Sequence, residues 1–334
     1  MISRSRLVLL IALTVALIVL PVVMQGIGNY YVIHVAALVG IYCILNLGLN
    51  ITIGFTGLLD LGFMAFYAIG AYTAALLSIA GMSFWLILPI AAIAGGLVRL
   101  AIGAPVLRLR GDYLAIVTLA FGEITRLVAN NLDSITNGPK GLPRVGERIA
   151  TVNFFGILFT DDIHFYYLIF FFVAVSILIS YRLEHSRIGR ALVAIREDEL
   201  AAELTGINVA RTKAIAFGLS GMFGALAGAI YTHWIGFITP EMFTFWESVL
   251  LVSMIVVGGM GNISGVILGT ALLVGTPELL RAMLLLFKPE WASELVVYRY
   301  LLFGLAMILI IIFRPQGLLP SKRRRLELRG EKQS

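Results

Sequence analysis

Two ionisable residues interrupt the apolar run "YLAIVTLAFGEITRLVANNL". Glu123 and Arg126 are three residues apart, so on a helix they share a face and can neutralise each other. Charged side chains in a membrane span are costly, and they usually line a solute path or pair inside the bundle. The pair is therefore interpreted either as part of a solute path or as a structural ion pair. Asn46 and Asn50, four residues apart, are weaker candidates for lining the same path.

A second group of polar residues is concentrated in the stretch "RALVAIREDELAAELTGINVARTK" at 190–213. Eight of its 24 residues are charged, whereas Asp, Glu, Lys and Arg make up 13% of the whole chain. The spacing predicts a short amphipathic helix, whose apolar stripe comprises Leu192, Ile195, Leu200 and Leu204. Gly206 is expected to end this helix, and Ala201 and Ala202 are expected to face a partner. A solvated surface loop is the simpler interpretation, and a docking helix for a partner protein is the functional one.

Glycine spacing is the third feature. Small residues repeated every four positions let membrane helices approach closely, and we interpret Gly224 and Gly228 in this way. The denser cluster "GGMGNISG" at 258–265 predicts a broken helix or a tight turn. The glycines predicted to act as hinges or turns are Gly54, Gly57, Gly258, Gly259, Gly261 and Gly265.

Common catalytic patterns are absent from the sequence. It contains no G-x-x-x-x-G-K-[ST] phosphate loop, no H-E-x-x-H and no G-x-S-x-G. The single cysteine, Cys43, excludes an intrachain disulfide and a cysteine-based metal cluster. We therefore expect this chain to bind no cofactor or metal, and a membrane-embedded enzyme is the least favoured class.

The elements that must position these residues are membrane helices. The chain has 334 residues, 60% of them hydrophobic, and a mean hydropathy of +0.96, more apolar surface than a soluble fold can bury. Runs of about 20 apolar residues predict spans at about 7–24, 32–50, 61–80, 85–106, 113–130, 164–182, 214–234, 247–258, 262–286 and 299–313. The predicted fold is an all-α polytopic membrane protein of about ten transmembrane helices in a single domain, 1–334, with a broken or re-entrant helix near 247–265.

The net charge of +6 has a topological explanation that does not involve nucleic acid. Lys and Arg collect on the cytoplasmic side of membrane proteins. If the N-terminus lies inside, 18 of the 25 Lys and Arg fall on the inner side and six on the outer side. Both termini are therefore expected in the cytoplasm, with an outer loop at 131–163, a cytoplasmic loop at 183–213 and a basic cytoplasmic tail at 314–334. The first apolar run is interpreted as a retained span rather than a cleaved signal peptide.

Six segments together resemble the LivM-type permeases of branched-chain (hydrophobic) amino acid importers, a family within the ATP-binding-cassette transporters. They are "GFTGLLDLGFMAFYAIGAY" (54–72), "LRLRGDYLAIVTLAFGEI" (107–124), "NGPKGL" (137–142), "RALVAIREDELAAELTGIN" (190–208), "GGMGNISG" (258–265) and "FRPQGLLP" (313–320). The resemblance covers nearly the whole chain, and 190–208 resembles the EAA-type coupling loop of such permeases. Leu200 departs from the pattern because it stands in the place of the Glu, with Glu199 one residue earlier. Val266 stands where relatives often have Pro.

The resemblance implies a transport subunit without its own nucleotide site, in the cytoplasmic membrane of a bacterium or archaeon. The implied partners are a LivH-like sister permease, two cytoplasmic ATPases that bind ATP and Mg, and a periplasmic or extracytoplasmic solute-binding protein. The residues implied to contact the ATPases are Arg190, Arg196, Glu197, Asp198, Glu199, Ala201, Ala202, Glu203 and Gly206. The implied solutes are branched-chain or other hydrophobic amino acids, and no residue distinguishes them from other amino acids, urea or short amides. The alternative is a stand-alone secondary transporter or channel for a small polar solute, with Glu123 and Arg126 coupling it to ions or protons.

Overall fold

The computed structural model describes residues 16–106, 112–143, 152–154, 157–159 and 161–287, with 301, 304–305, 308, 312–314 and 317–319 beyond them. Its helices are α1 (Ala16–Gly26), α2 (Tyr30–Asn50), α3 (Met64–Ile79), α4 (Phe84–Val106), α5 (Asp112–Asn131), α6 (Asp133–Thr136), α7 (Asp162–Glu184), α8 (Arg187–Glu197), α9 (Glu199–Leu204), α10 (Val209–Ile235), α11 (Phe245–Gly258) and α12 (Ile263–Phe287). A π-helical segment, Ile51–Phe55, continues α2, and short 3₁₀ turns form at Gly138–Lys140 and Pro240–Met242.

Asparagine side chains cap the N-termini of two of the long helices, α2 and α10. The Asn29 side chain accepts a hydrogen bond from the backbone N–H of Val32, and Asn208 accepts one from Arg211 at 3.0 Å. Each bond satisfies a backbone donor that has no partner inside the helix. At its other end α10 stops at Gly236, whose φ of 72° continues the chain in a left-handed turn.

Helix α10 is the centre of the bundle and packs against α2, α3 and α4. The contact with α3 is close because a side chain on Gly228 would overlap the backbone carbonyl of Tyr67. Small residues permit this approach between membrane helices. The packing role predicted for Gly228 is therefore confirmed.

Eight of the ten predicted spans, from 32–50 to 262–286, coincide largely with described helices. Within the described residues, six helices are long and apolar enough to cross a membrane, and α1, α3 and the first part of α12 are shorter apolar helices. Parts of the predicted span 7–24, and most of 299–313, lie outside the described residues. The structure thus supports an all-helical polytopic membrane protein, and the count of ten stays a prediction.

The predicted break near 247–265 is a turn between two helices. α11 ends at Gly258 and α12 begins at Ile263, and between them Gly259 and Gly261 have φ angles of 118° and 76°. The two helices run antiparallel, since a Cβ on Gly265 would lie 2.6 Å from the carbonyl oxygen of Gly258 and one on Gly269 would overlap that of Met254, one turn earlier on α11. With 14 residues, α11 is about 21 Å long, shorter than the roughly 30 Å hydrocarbon core of a bilayer.

The predicted outer loop 131–163 contains regular structure. It holds α6, a 3₁₀ turn and three short strands, β1 (Leu142–Pro143), β2 (Val152–Phe154) and β3 (Ile157–Phe159). β2 pairs antiparallel with β3, and β1 pairs antiparallel with β4 (Phe237–Ile238), which follows α10. Two small sheets therefore accompany the helices, and one of them ties this loop to the chain after α10.

Contacts sort the helix ends into two groups. At one end, named here the loop end, α8 contacts the residues after α2, α9 contacts the start of α10, and Leu319 bonds to the end of α11. At the opposite end, Trp234 of α10 bonds to Asp162 of α7 at 2.9 Å, and β1 pairs with β4. This sorting agrees with helices that alternate in direction along the chain.

Candidate functional site

The charged stretch forms two helices, α8 and α9, where one was expected. Asp198 separates them: it follows α8, and its side chain accepts a hydrogen bond from the N–H of Ala201 at 3.0 Å, which starts α9. α9 stops before Gly206, whose φ of 87° is left-handed and whose N–H bonds to Glu203 at 2.9 Å. The predicted role of Gly206 as a helix terminator is confirmed.

The outward face of the loop carries two large apolar side chains. Leu200 is 64% exposed and Leu204 is 81% exposed, and the two lie one helical turn apart. Ala201 and Glu203 are exposed beside them, as are Arg190 and Glu197 on α8. An apolar pair that no described part of the chain covers, within a charged rim, is typical of a protein-binding surface.

The inward face of the loop includes Ala202, which is 4% exposed. The expectation that Ala202 faces a partner is wrong, because two residues along a helix turn a side chain about 200° from Leu200. Glu199 is also tied to its own chain, since Nζ of Lys213, on α10, donates to its Oε2 at 2.7 Å. Of the two carboxylates on α9, Glu203 faces outward and Glu199 anchors the loop to α10.

Arg196 connects the loop to the bundle. Its Nη1 donates to the backbone carbonyl of Gly54 at 2.6 Å. A Cβ on Gly57, whose φ is 72°, would lie 2.9 Å from Cγ of Arg196, so the arginine stem lies directly on this glycine. Arg196 was expected to contact a partner, and the structure turns its guanidinium inward.

The α11–α12 turn meets Arg196 and the end of α2 at the same place. The N–H of Gly261 donates to Oδ1 of Asn50 at 2.9 Å. A Cβ on Gly261 would lie 3.0 Å from the carbonyl oxygen of Gly54 and 3.4 Å from Nη1 of Arg196. We name these five residues the loop junction: Asn50, Gly54, Gly57, Arg196 and Gly261.

The predicted hinge glycines therefore divide by role. Gly57, Gly259 and Gly261 lie in turns with positive φ, as predicted. Gly54 lies in the π-helical segment and is buried, where it permits the approach of the α11–α12 turn. Gly258 and Gly265 are helical, and they bring α11 and α12 into contact.

The two candidate asparagines are buried between helices. Nδ2 of Asn46 donates to Oγ1 of Thr270 at 2.8 Å and contacts Sδ of Met254 at 3.1 Å. Asn50 bonds to the α11–α12 turn as described, and both asparagines are at most 1% exposed. In this conformation they tie α2 to α11 and α12 and do not lie on an open surface.

The Glu123–Arg126 pair forms, and Arg126 has a second carboxylate partner. Nε of Arg126 donates to Glu123 at 3.0 Å, and Nη1 donates to Glu241, in the turn before α11, at 3.0 Å. The side chains of Glu123 and Arg126 are 31% and 22% exposed. In the most apolar stretch of α5, 17% of the residues are buried within the structure. In the other five long apolar helices that share is 39% or more.

A buried ion pair between Asp60 and Arg99 is not predicted by the sequence. Each side chain is 1% exposed. The guanidinium carbon of Arg99 lies 4.5–5.1 Å from the ring centroids of Phe63, Phe66 and Phe217, close enough for cation–π attraction. A cavity of about 20 Å³ adjoins the pair, enough for one water molecule. The two residues are 39 apart in sequence, so no local pattern signals the pair.

Comparison with known proteins identifies the family. Residues 31–311 match the family model described as branched-chain amino acid transport system / permease component. The chain is 41% identical to the high-affinity branched-chain amino acid transport system permease protein LivM of Escherichia coli (strain K12), over 95% of this chain and 76% of that protein. It is 29% identical to the probable branched-chain amino acid transport permease protein LivM of Methanocaldococcus jannaschii, over 71% of this chain and 69% of that protein.

A more distant relative is the high-affinity branched-chain amino acid transport system permease protein LivH of Salmonella typhimurium. It is 26% identical over 83% of this chain and 91% of that protein. No solved structure matches the chain. The family match and the identity to LivM proteins together show that this chain belongs to the permease components of branched-chain amino acid transport systems.

Proposed function

We propose that this chain is the LivM-type permease subunit of an ATP-binding-cassette importer for branched-chain or other hydrophobic amino acids. The observation that carries the proposal is the two-helix loop, which anchors one face to its own bundle and presents Leu200 and Leu204 outward. Membership in the permease family favours this function over a stand-alone secondary transporter or channel.

The energy source in this proposal is a pair of separate ATPase subunits that bind ATP and Mg. Leu200 and Leu204 would insert into a groove on one ATPase, with Glu203 and Arg190 at the rim. Burying a leucine side chain stabilises a contact by about 1.5–3 kcal/mol, so two adjacent leucines supply a compact anchor. The loop then moves with the ATPase and transmits its motion to the membrane helices.

The solute path in this proposal runs along α5. Of the six long apolar helices, α5 is both the least apolar and the least buried. A helix that faced only lipid would be expected to be strongly apolar on that side. Its exposed Glu123–Arg126 pair fits better against a polar path shared with a LivH-like sister permease. A binding protein would deliver the solute at the opposite end of the bundle.

Orientation in the bacterial or archaeal cytoplasmic membrane follows from charge. The excess of Lys and Arg places the loop end, both termini and the basic tail 314–334 in the cytoplasm. The sorting of helix ends into two groups supports a topology of ten alternating spans.

The test is purification through an affinity tag on this chain, followed by reconstitution in liposomes. We expect ATPase subunits and a sister permease to co-purify, and leucine uptake to require ATP and a binding protein. Leu204→Glu should remove the ATPases from the complex, whereas Leu132→Glu, at an exposed leucine of the outer loop, should retain them. Leucine uptake driven by an ion gradient through this chain alone would contradict the proposal.

A further inference from the structure

The loop junction joins three parts of the chain that are distant in sequence. Arg196 belongs to the last turn of α8, Gly54 to the end of α2, and Gly261 to the α11–α12 turn. Arg196 and Gly54 are 142 residues apart, and Asn50 and Gly261 are 211 apart. One arginine side chain therefore lies where the loop, α2 and the α11–α12 hairpin meet.

The carbonyl that Arg196 binds is chemically suited to it. The last four carbonyls of a helix have no donor within the helix, and Gly54 lies at the end of the continuous helix Tyr30–Phe55. A positive charge at this end also complements the helix dipole. A guanidinium donates several hydrogen bonds in one plane and is weakly hydrated, so it suits a partly buried carbonyl better than an ammonium does.

The packing at the junction leaves little space for independent movement. A Cβ on Gly54 would lie 2.7 Å from the backbone nitrogen of Gly261, so the two backbones are in contact. The stem of Arg196 rests on Gly57 in the same way. A displacement of α8 must therefore carry the end of α2 and the α11–α12 turn with it, or break the bond to Gly54. π-helical turns such as Ile51–Phe55 often occur at functional sites.

We propose that Arg196 is a positioning residue that passes the movement of the loop to the end of α2 and to the α11–α12 hairpin. The inference rests on the proposed function, since it needs an ATPase that moves the loop. It differs from docking, because the guanidinium points into the bundle and Leu200 and Leu204 form the outward contact. The bond between Arg196 and Gly54 persists while the loop moves.

The first experiment removes the guanidinium of Arg196 and keeps an aliphatic side chain in its place. Arg196→Met retains an unbranched side chain on Gly57 and removes the hydrogen bond to Gly54. A hydrogen bond to a charged group corresponds to about tenfold or more in an equilibrium, so leucine imported per ATP hydrolysed should fall by about tenfold in proteoliposomes. The ATPases should still co-purify and hydrolyse ATP. Arg182→Met, which removes an exposed arginine at the end of α7, should keep the wild-type ratio.

A second experiment restores the link covalently. A Cβ on Gly57 would lie 3.7 Å from Cβ of Arg196, within the range of about 3.5–4.5 Å found in disulfides. In a Cys43→Ala background, which removes the natural cysteine, Gly57→Cys with Arg196→Cys should form a disulfide under mild oxidation, against a cost of about 1–2 kcal/mol for a side chain on the left-handed backbone of residue 57. The reduced protein should be uncoupled like Arg196→Met, and oxidation should raise the ratio of leucine to ATP again.

Three outcomes would overturn the role of Arg196. They are a wild-type ratio of leucine to ATP in Arg196→Met, loss of the ATPases from that variant, and an oxidised double-cysteine protein that transports no better than the reduced one. These outcomes are separate from a failure of the proposed function, in which the wild-type chain itself would retain no ATPase and import no leucine with ATP.

Discussion

At the scale of single residues, the structure separates ionisable groups that pair inside the chain from those that face outward. Asp60 and Arg99 are fully buried, and Lys213 is buried against Glu199, whereas Glu123 and Arg126 are partly exposed on α5. Buried pairs cannot lose one member without leaving a charge in a low-dielectric interior. Partly exposed pairs contribute little stability, so the role of the Glu123 and Arg126 charges has to be tested through transport.

Removal of Arg99 should destabilise the permease strongly. Arg99→Met leaves Asp60 buried without its partner, at a cost of about 3–5 kcal/mol. The midpoint of thermal unfolding in detergent should fall clearly, while Arg182→Met, at an exposed position, should stay within about 0.5 kcal/mol. The double change Asp60→Asn with Arg99→Met should recover much of the loss. Equal stability of Arg99→Met and the wild type would contradict a charged pair at this site.

Glu123 should matter for transport and hardly for stability. Because an exposed ion pair is worth about 0–1 kcal/mol, Glu123→Gln should leave the complex assembled and lower leucine uptake. If the pair were only structural, Glu123→Gln with Arg126→Gln would restore uptake by removing the uncompensated charge, and we expect no such restoration. Normal uptake by Glu123→Gln would remove this residue from the path. Glu241→Gln measures the effect of losing the second partner of Arg126.

At the scale of elements, the outward face of the loop depends on the two short helices α8 and α9 and on the turn at Gly206. Asp198 starts α9 and Gly206 ends it, so six residues hold Leu200 and Leu204 in a fixed direction. Helices of this length are not stable alone, and contacts with α10 provide the missing stability. The geometry of the outward face therefore depends on caps and anchors within the chain.

Substitutions of Gly206 should act through backbone conformation alone. Its φ is 87°, and a Cβ at this position would meet no atom within 4 Å. Gly206→Val should cost about 1 kcal/mol or more, distort the end of α9 and reduce ATPase co-purification. Gly206→Asn is the matched control, because asparagine tolerates left-handed backbone, and it should behave almost like the wild type. If Val and Asn have equal effects, φ is not the reason that glycine occupies this position.

Adjacent alanines on α9 should respond differently to the same substitution. Ala201→Trp places a large side chain on the exposed face and should block ATPase binding without unfolding the loop. Ala202→Trp places it in the contact with the bundle, where overpacking typically costs about 1–3 kcal/mol, so it should also lower thermal stability. Co-purification and unfolding midpoints measured together distinguish the two. Identical behaviour of the two variants would contradict the orientation of α9.

At the scale of the whole molecule, the two ends of the bundle differ in charge and in the segments that meet there. The loop, the α11–α12 turn and Leu319 meet at one end, and the β1–β4 sheet lies at the other. In the proposed topology, the excess of Lys and Arg puts the loop end in the cytoplasm, so that coupling and solute entry would take place on opposite sides of one membrane domain.

Cysteine labelling should reveal this orientation. In a Cys43→Ala background, Lys140→Cys should react with a membrane-impermeant maleimide added outside intact cells, and His185→Cys should react only after permeabilisation. Both positions are exposed and lie at opposite ends of the bundle, outside the face proposed to bind the ATPase, so accessibility depends on the side of the membrane. Labelling of His185→Cys in intact cells, with protection of Lys140→Cys, would reverse the proposed topology.

The positions of the helices, the membrane environment and the family were predictable from the sequence by itself. Apolar runs locate spans because transfer into lipid depends on local composition, and Gly206 was identified as a terminator because capping is a local effect. The break at Asp198 was predictable in principle from its capping chemistry, but was missed.

Only the tertiary structure decided which residues meet. The Arg196–Gly54 bond, the Asp60–Arg99 pair and the second partner of Arg126 join segments that lie 142, 39 and 115 residues apart. Residues on different helices come together through the packing of the whole bundle, and no periodicity in one segment specifies which residue of another will face it. The inward direction of Ala202 and Arg196 was decided in the same way, because a short amphipathic helix has an inner face only after the bundle provides one.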